Sequence, residues 1–598
     1  MQHRDAPRRE LAVTAWLGAA AVAAGLGMAG AAAAHADTGD GSAGDSPRSS
    51  GQSHQARSAA AGPKAQRVSR SSPAPASAAR SLPAAKRTTG HGAPTAVLTP
   101  PPAAAILSPG PLSAGIAAPV AVPAAVQPSG QAVSPLGTPE QIEAEKTAMR
   151  TERTLPVAVS KAVLRLAWRM TAAKQYSLVG GPDAANIAAL PAAIDEWAMA
   201  SAFQVQILNS NQPTIVTQVA PPHQWYGADV LGSRILYDNP DTIYRFTGVN
   251  YASQYVITGR LPENARQASF SVLTGTTGTT SAVLDADQLE LGPDGTFVIT
   301  ASGDPAMPGQ KNHLQLTPDT TLIAIRDTLE DWNVQEPMAL AIHRTAGPPN
   351  SLFSQFGGFA IPVIGPAVAK SPLLTSLVSV IPPLPSTPPF VQGLLAAALM
   401  LRGLSEEATY IRVATTDPLT GELRPPNVFT DPTRNASFLA TQLQSAGYFQ
   451  LAGDESLVLT IRPNNAGYFS VPVTNAWTIT GNYADQQTSL NNAQARSNPD
   501  GSYTIVVSPT EPLLADGTSV WNWDSTGGLN QGTIAIRFQQ IDANDPNNPK
   551  VSSQVVKTAD LASVLPDGTV VVTAPERQAQ LASRKEGFDM RFAPYPQP

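Results

Sequence analysis

The 598-residue sequence contains no cysteine. Disulfides, thiolate metal sites and a cysteine nucleophile are therefore excluded together. Charge is also scarce: Asp, Glu, Lys and Arg make up 14% of the chain, and the net charge of −6 leaves no basic footprint for nucleic acid. No aromatic residue occurs between Trp16 and Trp168. A segment without them buries too little apolar area to offset its ordering entropy. Familiar catalytic signatures are missing as well. There is no Gly-x-Ser-x-Gly elbow, P-loop or dinucleotide glycine fingerprint, and the seven His are too scattered for a zinc helix motif. These absences point away from a hydrolase, NTPase or dehydrogenase of familiar design, and the sequence implies no cofactor and no metal. A carboxylate-pair glycosidase stays open, because its two acids can lie anywhere in the sequence.

What is present changes along the chain. Residues 1–36 read as an export signal: Arg4, Arg8 and Arg9 precede an apolar run from Leu11 to Ala34, and Ala34-His35-Ala36 forms a small-x-small cleavage site. The run is long enough to span a bilayer, but its Ala and Gly content and the cleavage site favour removal near Ala36. The mature chain would then carry no transmembrane span and be secreted to the cell envelope. Residues 37–135 are a disordered spacer rich in Pro, Ala and Ser, with 8 basic and 3 acidic residues. The remaining body has 28 basic and 40 acidic residues, so a basic arm carries an acidic body.

The body opens with a helix signal: Thr138 as N-cap, Pro139 in the first turn and Gln141 to complete a capping box. Apolar residues recur through Leu155, Val159, Val163, Leu166 and Met170, and again at Ile194, Trp197 and Phe203, so residues 136–215 are helical. Beyond them the period falls to two and turns multiply. Leu284, Gln288, Pro293-Asp294-Gly295, Phe297 and Ile299 recur at identical spacing as Leu490, Gln494, Pro499-Asp500-Gly501, Tyr503 and Ile505. Ile323-Ala324-Ile325-Arg326 returns as Ile534-Ala535-Ile536-Arg537, His313 corresponds to Trp523, and Tyr255 and Tyr468 occupy similar places. The fold class expected is mainly β (α+β): two related jelly-roll-like β-sandwich units at 216–345 and 455–575, an apolar helical insertion at 346–454 and a tail at 576–598.

Asp238-Asn239-Pro240-Asp241-Thr242-Ile243-Tyr244, the Pro-Asp-Gly strands, Ile325-Arg326-Asp327 and Trp477…Leu490-Asn491…Asn522-Trp523 resemble the bacterial family called domain of unknown function 1214. The resemblance covers roughly residues 220–345 and 455–540. It implies jelly-roll-like sandwich units, often accompanied by domain of unknown function 1254, and it implies no established reaction. The head of the chain looks like exported proteins of actinobacteria of the mycobacterial type.

From Gly347 to Leu401 the only charged residue is Lys370, and repeated Pro breaks every window long enough to cross a membrane. This stretch is expected to pack over the sandwich core, with contact to lipid as the alternative. The best polar constellation is Asp238, Asn239, Asp241 and Tyr244 with Arg326, Asp327, Asp331, Trp332 and His313. Arg326 would grip a carboxylate or phosphate and Trp332 would stack on a ring. The opposing interpretation makes Arg326 and Arg537 structural, because a single site need not repeat. Asp542-Ala543-Asn544-Asp545 reads as a turn and not as a Ca²⁺ loop. Two functions follow: an envelope-associated protein that binds a glycan, lipid or protein, or a secreted hydrolase of polysaccharide or an apolar ester.

Overall fold

The computed structural model describes residues 134–592, apart from 226–227, 264, 266, 276–277, 435–441 and 543. The export signal, its cleavage site and the spacer as far as residue 133 lie outside the described residues. Three helices lead in: α1 (Pro139–Glu152), α2 (Leu155–Gln175) and α3 (Ala184–Ile207). Thr138 caps α1 by accepting from the Gln141 N–H at 3.2 Å. The Gln141 side chain leaves the capping box and instead exchanges hydrogen bonds with the backbone of Thr217. Asp183 caps α3, a helix apolar on nearly every side and buried accordingly. Its neighbours are α1, α2 and a later helix, Pro389–Met400.

The first unit comprises β1 (Val216–Val219), a small hairpin of β2 (His223–Trp225) and β3 (Ala228–Val230), then β4 (Thr242–Gly248), β5 (Gln254–Arg260), β6 (Gln267–Thr274), β7 (Thr279–Asp285), β8 (Thr296–Ser302), β9 (His313–Gln315), β10 (Thr320–Thr328) and β11 (Ala339–Ala346). An apolar insertion follows, with helices α4 (Leu352–Gln355), α5 (Ile364–Lys370), α6 (Pro372–Val378), α7 (Pro389–Met400) and α8 (Gly403–Thr415). The second unit has β12 (Thr433–Arg434), β13 (Leu443–Gln450), β14 (Glu455–Arg462), β15 (Ala466–Thr474), β16 (Ser489–Asn491), β17 (Tyr503–Ser508), β18 (Ser519–Val520), β19 (Trp523–Ser525), β20 (Gln531–Ile541), β21 (Lys550–Lys557) and β22 (Val571–Val572). It therefore takes in β12 and β13 from the stretch read as insertion.

The repeat is a repeat of topology. The larger sheets run β1-β4-β10-β6-β7 and β12-β13-β20-β15-β16, and the smaller ones β11-β5-β8-β9 and β21-β14-β17-β19. Each smaller sheet ends in a parallel pair, which sets His313 beside Thr300 and Trp523 beside Val506. Asn312 binds the Glu290 backbone at both N–H and C=O, and Asn522 does the same to Arg496. In the two Pro-Asp-Gly turns, Asp294 accepts from the Thr296 backbone and hydroxyl as Asp500 does from Ser502. Gly295 and Gly501 take the left-handed exit at φ 77° and 78°. Tyr255 and Tyr468 are not equivalent, however. Tyr255 lies on β5, whereas Tyr468, on β15, occupies the position of Gln267 in the first unit.

Alternation along the strands fills each sandwich. Ile257, Phe270, Phe297, Ile299, Ile323 and Ile325 close the first core, and Leu459, Val471, Ile505, Ile534 and Ile536 close the second. The first core also holds an ion pair between Arg245 and Asp327, 3.3 Å apart, in which Asp327 accepts from the Met338 N–H at 2.6 Å. The segment read as a tail contributes α9 (Ala574–Met590), whose Phe588 packs into the core beneath Trp332 and Tyr483. No helix among the described residues is long and apolar enough to cross a membrane. Asp327→Ala leaves Arg245 charged in the core with the Met338 carbonyl but without its counter-ion, and is expected to lower unfolding free energy by about 3–5 kcal/mol. Denaturant titration checks this, with the paired Arg245→Met/Asp327→Leu variant expected to lose less.

Candidate functional site

A cavity of about 200 Å³ lies between the larger sheets of the two sandwiches. Strand register brings its polar residues together. Tyr244 stands opposite Arg326 across β4 and β10, and Gln444 stands opposite Arg537 across β13 and β20. These pairs occupy the same place in the two units, so both copies of the repeat supply one lining. Helix α8 adds Glu406 and Tyr410, with Arg402 just before it, and the loop ahead of β4 adds Tyr237, Asp238 and Asn239. Backbone strain is concentrated in that loop and across from it: Leu236, Tyr237 and Thr478 all have φ between 53° and 58°, and the Tyr237 N–H donates to the Thr478 carbonyl.

The lining sets three guanidinium groups against two carboxylates, Asp238 and Glu406. Arg402 lies 3.8 Å from Glu406. Arg537 is only 8% exposed; one of its terminal nitrogens donates to the Tyr237 carbonyl, and the other, Nη1, has no hydrogen-bond partner among the described residues. Arg326 donates to Ser271 at 3.4 Å. Burial pulls its pKa down; Tyr244 and Tyr410 oppose the shift and Arg537 adds to it. A buried guanidinium nitrogen with no acceptor is costly, and an anionic oxygen is the group that would satisfy it.

Of the residues singled out in the sequence, Asp238, Asn239, Tyr244 and Arg326 line this cavity. Asp238 accepts from the Thr480 hydroxyl at 2.9 and 2.8 Å. Burial pushes its pKa up to about 6, against the pull of Arg234 and Thr480. Asp241 lies behind the lining, fully buried, and accepts from the Tyr468 hydroxyl at 2.6 Å and the Trp332 indole at 2.8 Å. Burial raises its pKa too, opposed by Tyr468 and Arg591. Asp327 faces away from Arg326 because neighbours on a strand point to opposite sides, and it is consumed by Arg245. Asp331 and Trp332 line a different cavity beside α9, where Arg584 and Arg591 each stack 4.2 Å over the buried Trp332 ring. Trp332 is thus a structural ring and offers no stacking platform. His313 is engaged on the edge of the smaller sheet by Thr300 and the Asp304 carbonyl, away from the lining. Sequence reasoning missed Arg537, Gln444, Arg402, Glu406 and Tyr410 as site residues. The repeated Ile-Ala-Ile-Arg is the available signal, and the structural interpretation of the repeat leaves Arg537 out of the site.

Two further spaces adjoin the cavity. An apolar chamber of about 80 Å³ shares Gln204, Gly275, Leu322 and Arg402 with it and is walled by Phe356, Ile361, Leu395 and Leu399 of the insertion. A polar groove of about 540 Å³ shares Arg326 and Gln539. No family model and no curated protein matches the sequence. Among solved structures, the chain is similar to an uncharacterised protein from Burkholderia cenocepacia, with 21% identity and a TM-score of 0.49 over 69% of this chain and 99% of that one. A Vibrio parahaemolyticus protein matches with 14% identity and a TM-score of 0.30 over 53% of this chain and 90% of that one.

Asp241→Ala strands the Tyr468 hydroxyl and the Trp332 indole inside the seam, and is expected to cost about 3 kcal/mol in a denaturant titration. Asp238 gives a pH signature. The unfolded carboxyl releases its proton near 3.8 and the folded one near 6, so between these values the folded state binds more protons and stability falls as pH rises. Asp238→Asn removes this dependence. Its melting midpoint relative to wild type is expected to climb from about pH 4 to about pH 6 and then level off.

Proposed function

We propose that the chain is an exported, envelope-associated protein of the domain of unknown function 1214 kind that binds a small amphipathic anion between its two sandwiches. The observation that carries this reading is the convergence of Arg326 and Arg537, equivalent residues of the two units, on one cavity where Arg537 keeps a buried donor with no partner among the described residues. A carboxylate or phosphate answers that donor, and the apolar chamber beside Arg402 takes the rest of the ligand. Export rests on the Arg-led apolar head and its cleavage site, and the basic spacer provides reach from an envelope surface.

Hydrolysis has less support in the geometry. The two carboxylates of the lining are engaged by Thr480 and Arg402, and Asp241 is locked between Tyr468 and Trp332. Octanoate is the probe for the binding reading. It is expected to raise the melting midpoint of the wild-type chain while octanol leaves it unchanged, and Arg537→Met is expected to weaken octanoate about 10- to 100-fold, the loss of one charge-assisted contact. Equal shifts from octanoate in wild type and Arg537→Met would remove the arginine pair from the function.

A further inference from the structure

Helix α2 buries one side, with Val157, Ser160, Leu164, Trp168 and Ala172 against the body. The apolar residues that mark it as a helix in the sequence lie on the other side. Leu155, Val159, Val163, Leu166 and Met170 are between 45% and 72% exposed. At 3.6 residues per turn they form one stripe within an arc of roughly 80°, diametrically opposite the packed side. Water-facing helix surfaces are ordinarily polar, and soluble proteins rarely leave so continuous an apolar strip uncovered. Helix α7, packed along α2 with Gly393 against Thr154, adds Phe390, itself 51% exposed.

Charge identifies the occupant. Helix α2 contains no Asp or Glu, whereas Arg165 and Arg169 flank the stripe on one side and Lys174 on the other, all exposed. Its fourth cation, Lys161, is engaged by Asp195 at 2.9 Å and by Glu152. In a body with 40 acidic and 28 basic residues, a helix of this kind stands out. An apolar stripe edged with cations fits an interface that is apolar below and anionic at its surface, which is the character of an anionic bilayer. A second copy of this helix would set the same cations against each other.

We infer that the outer face of α2 docks on an anionic lipid surface, with Leu155, Val159, Val163, Leu166 and Met170 entering the headgroup layer and Arg165, Arg169 and Lys174 pairing with lipid phosphates. The absence of cysteine permits a local readout on the full chain, independent of its apolar N-terminus. Met170→Cys is labelled with an environment-sensitive fluorophore, and Val298→Cys, 48% exposed on β8, serves as control. Vesicles of phosphatidylcholine containing phosphatidylglycerol are expected to blue-shift the probe at 170 but not at 298, and pure phosphatidylcholine to shift neither. Adding Arg165→Gln and Arg169→Gln to the labelled chain is expected to weaken the response roughly thirtyfold, and raising the salt concentration to weaken it further. An unshifted probe at 170, a response equal in neutral vesicles, or a lipid-free shift that grows with protein concentration overturns the assignment, the last in favour of a second copy.

Discussion

The seam between the two sandwiches is held by a buried carboxylate. Asp241 sits where water cannot reach it and is tolerated because Tyr468 of the second unit and Trp332 of the first both donate to it. Around it, Asn239 binds Tyr468 and Ser470, Asp238 binds Thr480, and the Tyr237 backbone meets Thr478 and Arg537. A five-residue loop of the first unit is thus tied to the second through Tyr237, Asp238, Asn239 and Asp241. That fastening balances the left-handed backbone at Leu236 and Tyr237, and it fixes the entry of β4 and hence the place of Tyr244.

The repeat acquires its meaning at this seam. Two sandwiches of the same topology present the same face to each other, so any polar residue on that face is delivered twice to one space. A doubled arginine in the sequence looks like a structural habit when each unit is considered alone. Once the faces are opposed, the two guanidinium groups become a pair in which no carboxylate among the described residues closes off Arg537 Nη1. Recurrence therefore argued for the site, because the site belongs to neither copy by itself.

Much of the β architecture was legible because its signals are local. Pro-Asp-Gly turns, period-two strands and equal spacings map directly onto β7, β8, β16 and β17, and Leu284/Leu490 and Gln288/Gln494 fall at equivalent positions. What escaped was orientation. The stripe on α2 has helical periodicity whichever side faces inward, and Val157, Leu164, Trp168 and Ala172 make the core contact instead. Asp331 and Trp332 follow Arg326 closely in sequence but leave the sheet after β10 and turn toward α9, which was read as a tail. Residues 134–135, assigned to the spacer, belong to the body: buried Ser134 donates to the Arg591 carbonyl at 2.6 Å. Such contacts span hundreds of residues, and periodicity carries no information about them.

Helix α3 imposes an order of events on the chain. Its Asn186 is satisfied by Gln531, Ala476 and Trp477, partners 345, 290 and 291 residues further along. During synthesis this apolar helix is complete when α1 and α2 are there to cover part of it, while α7 and the partners of Asn186 are still to come. The N-terminal end of α3 must wait for the last strands of the second sandwich, so a chain truncated before β20 leaves Asn186 without its Gln531 partner and that end of an apolar helix less covered. The seam between the two sandwiches, copies of one design, can therefore close only late.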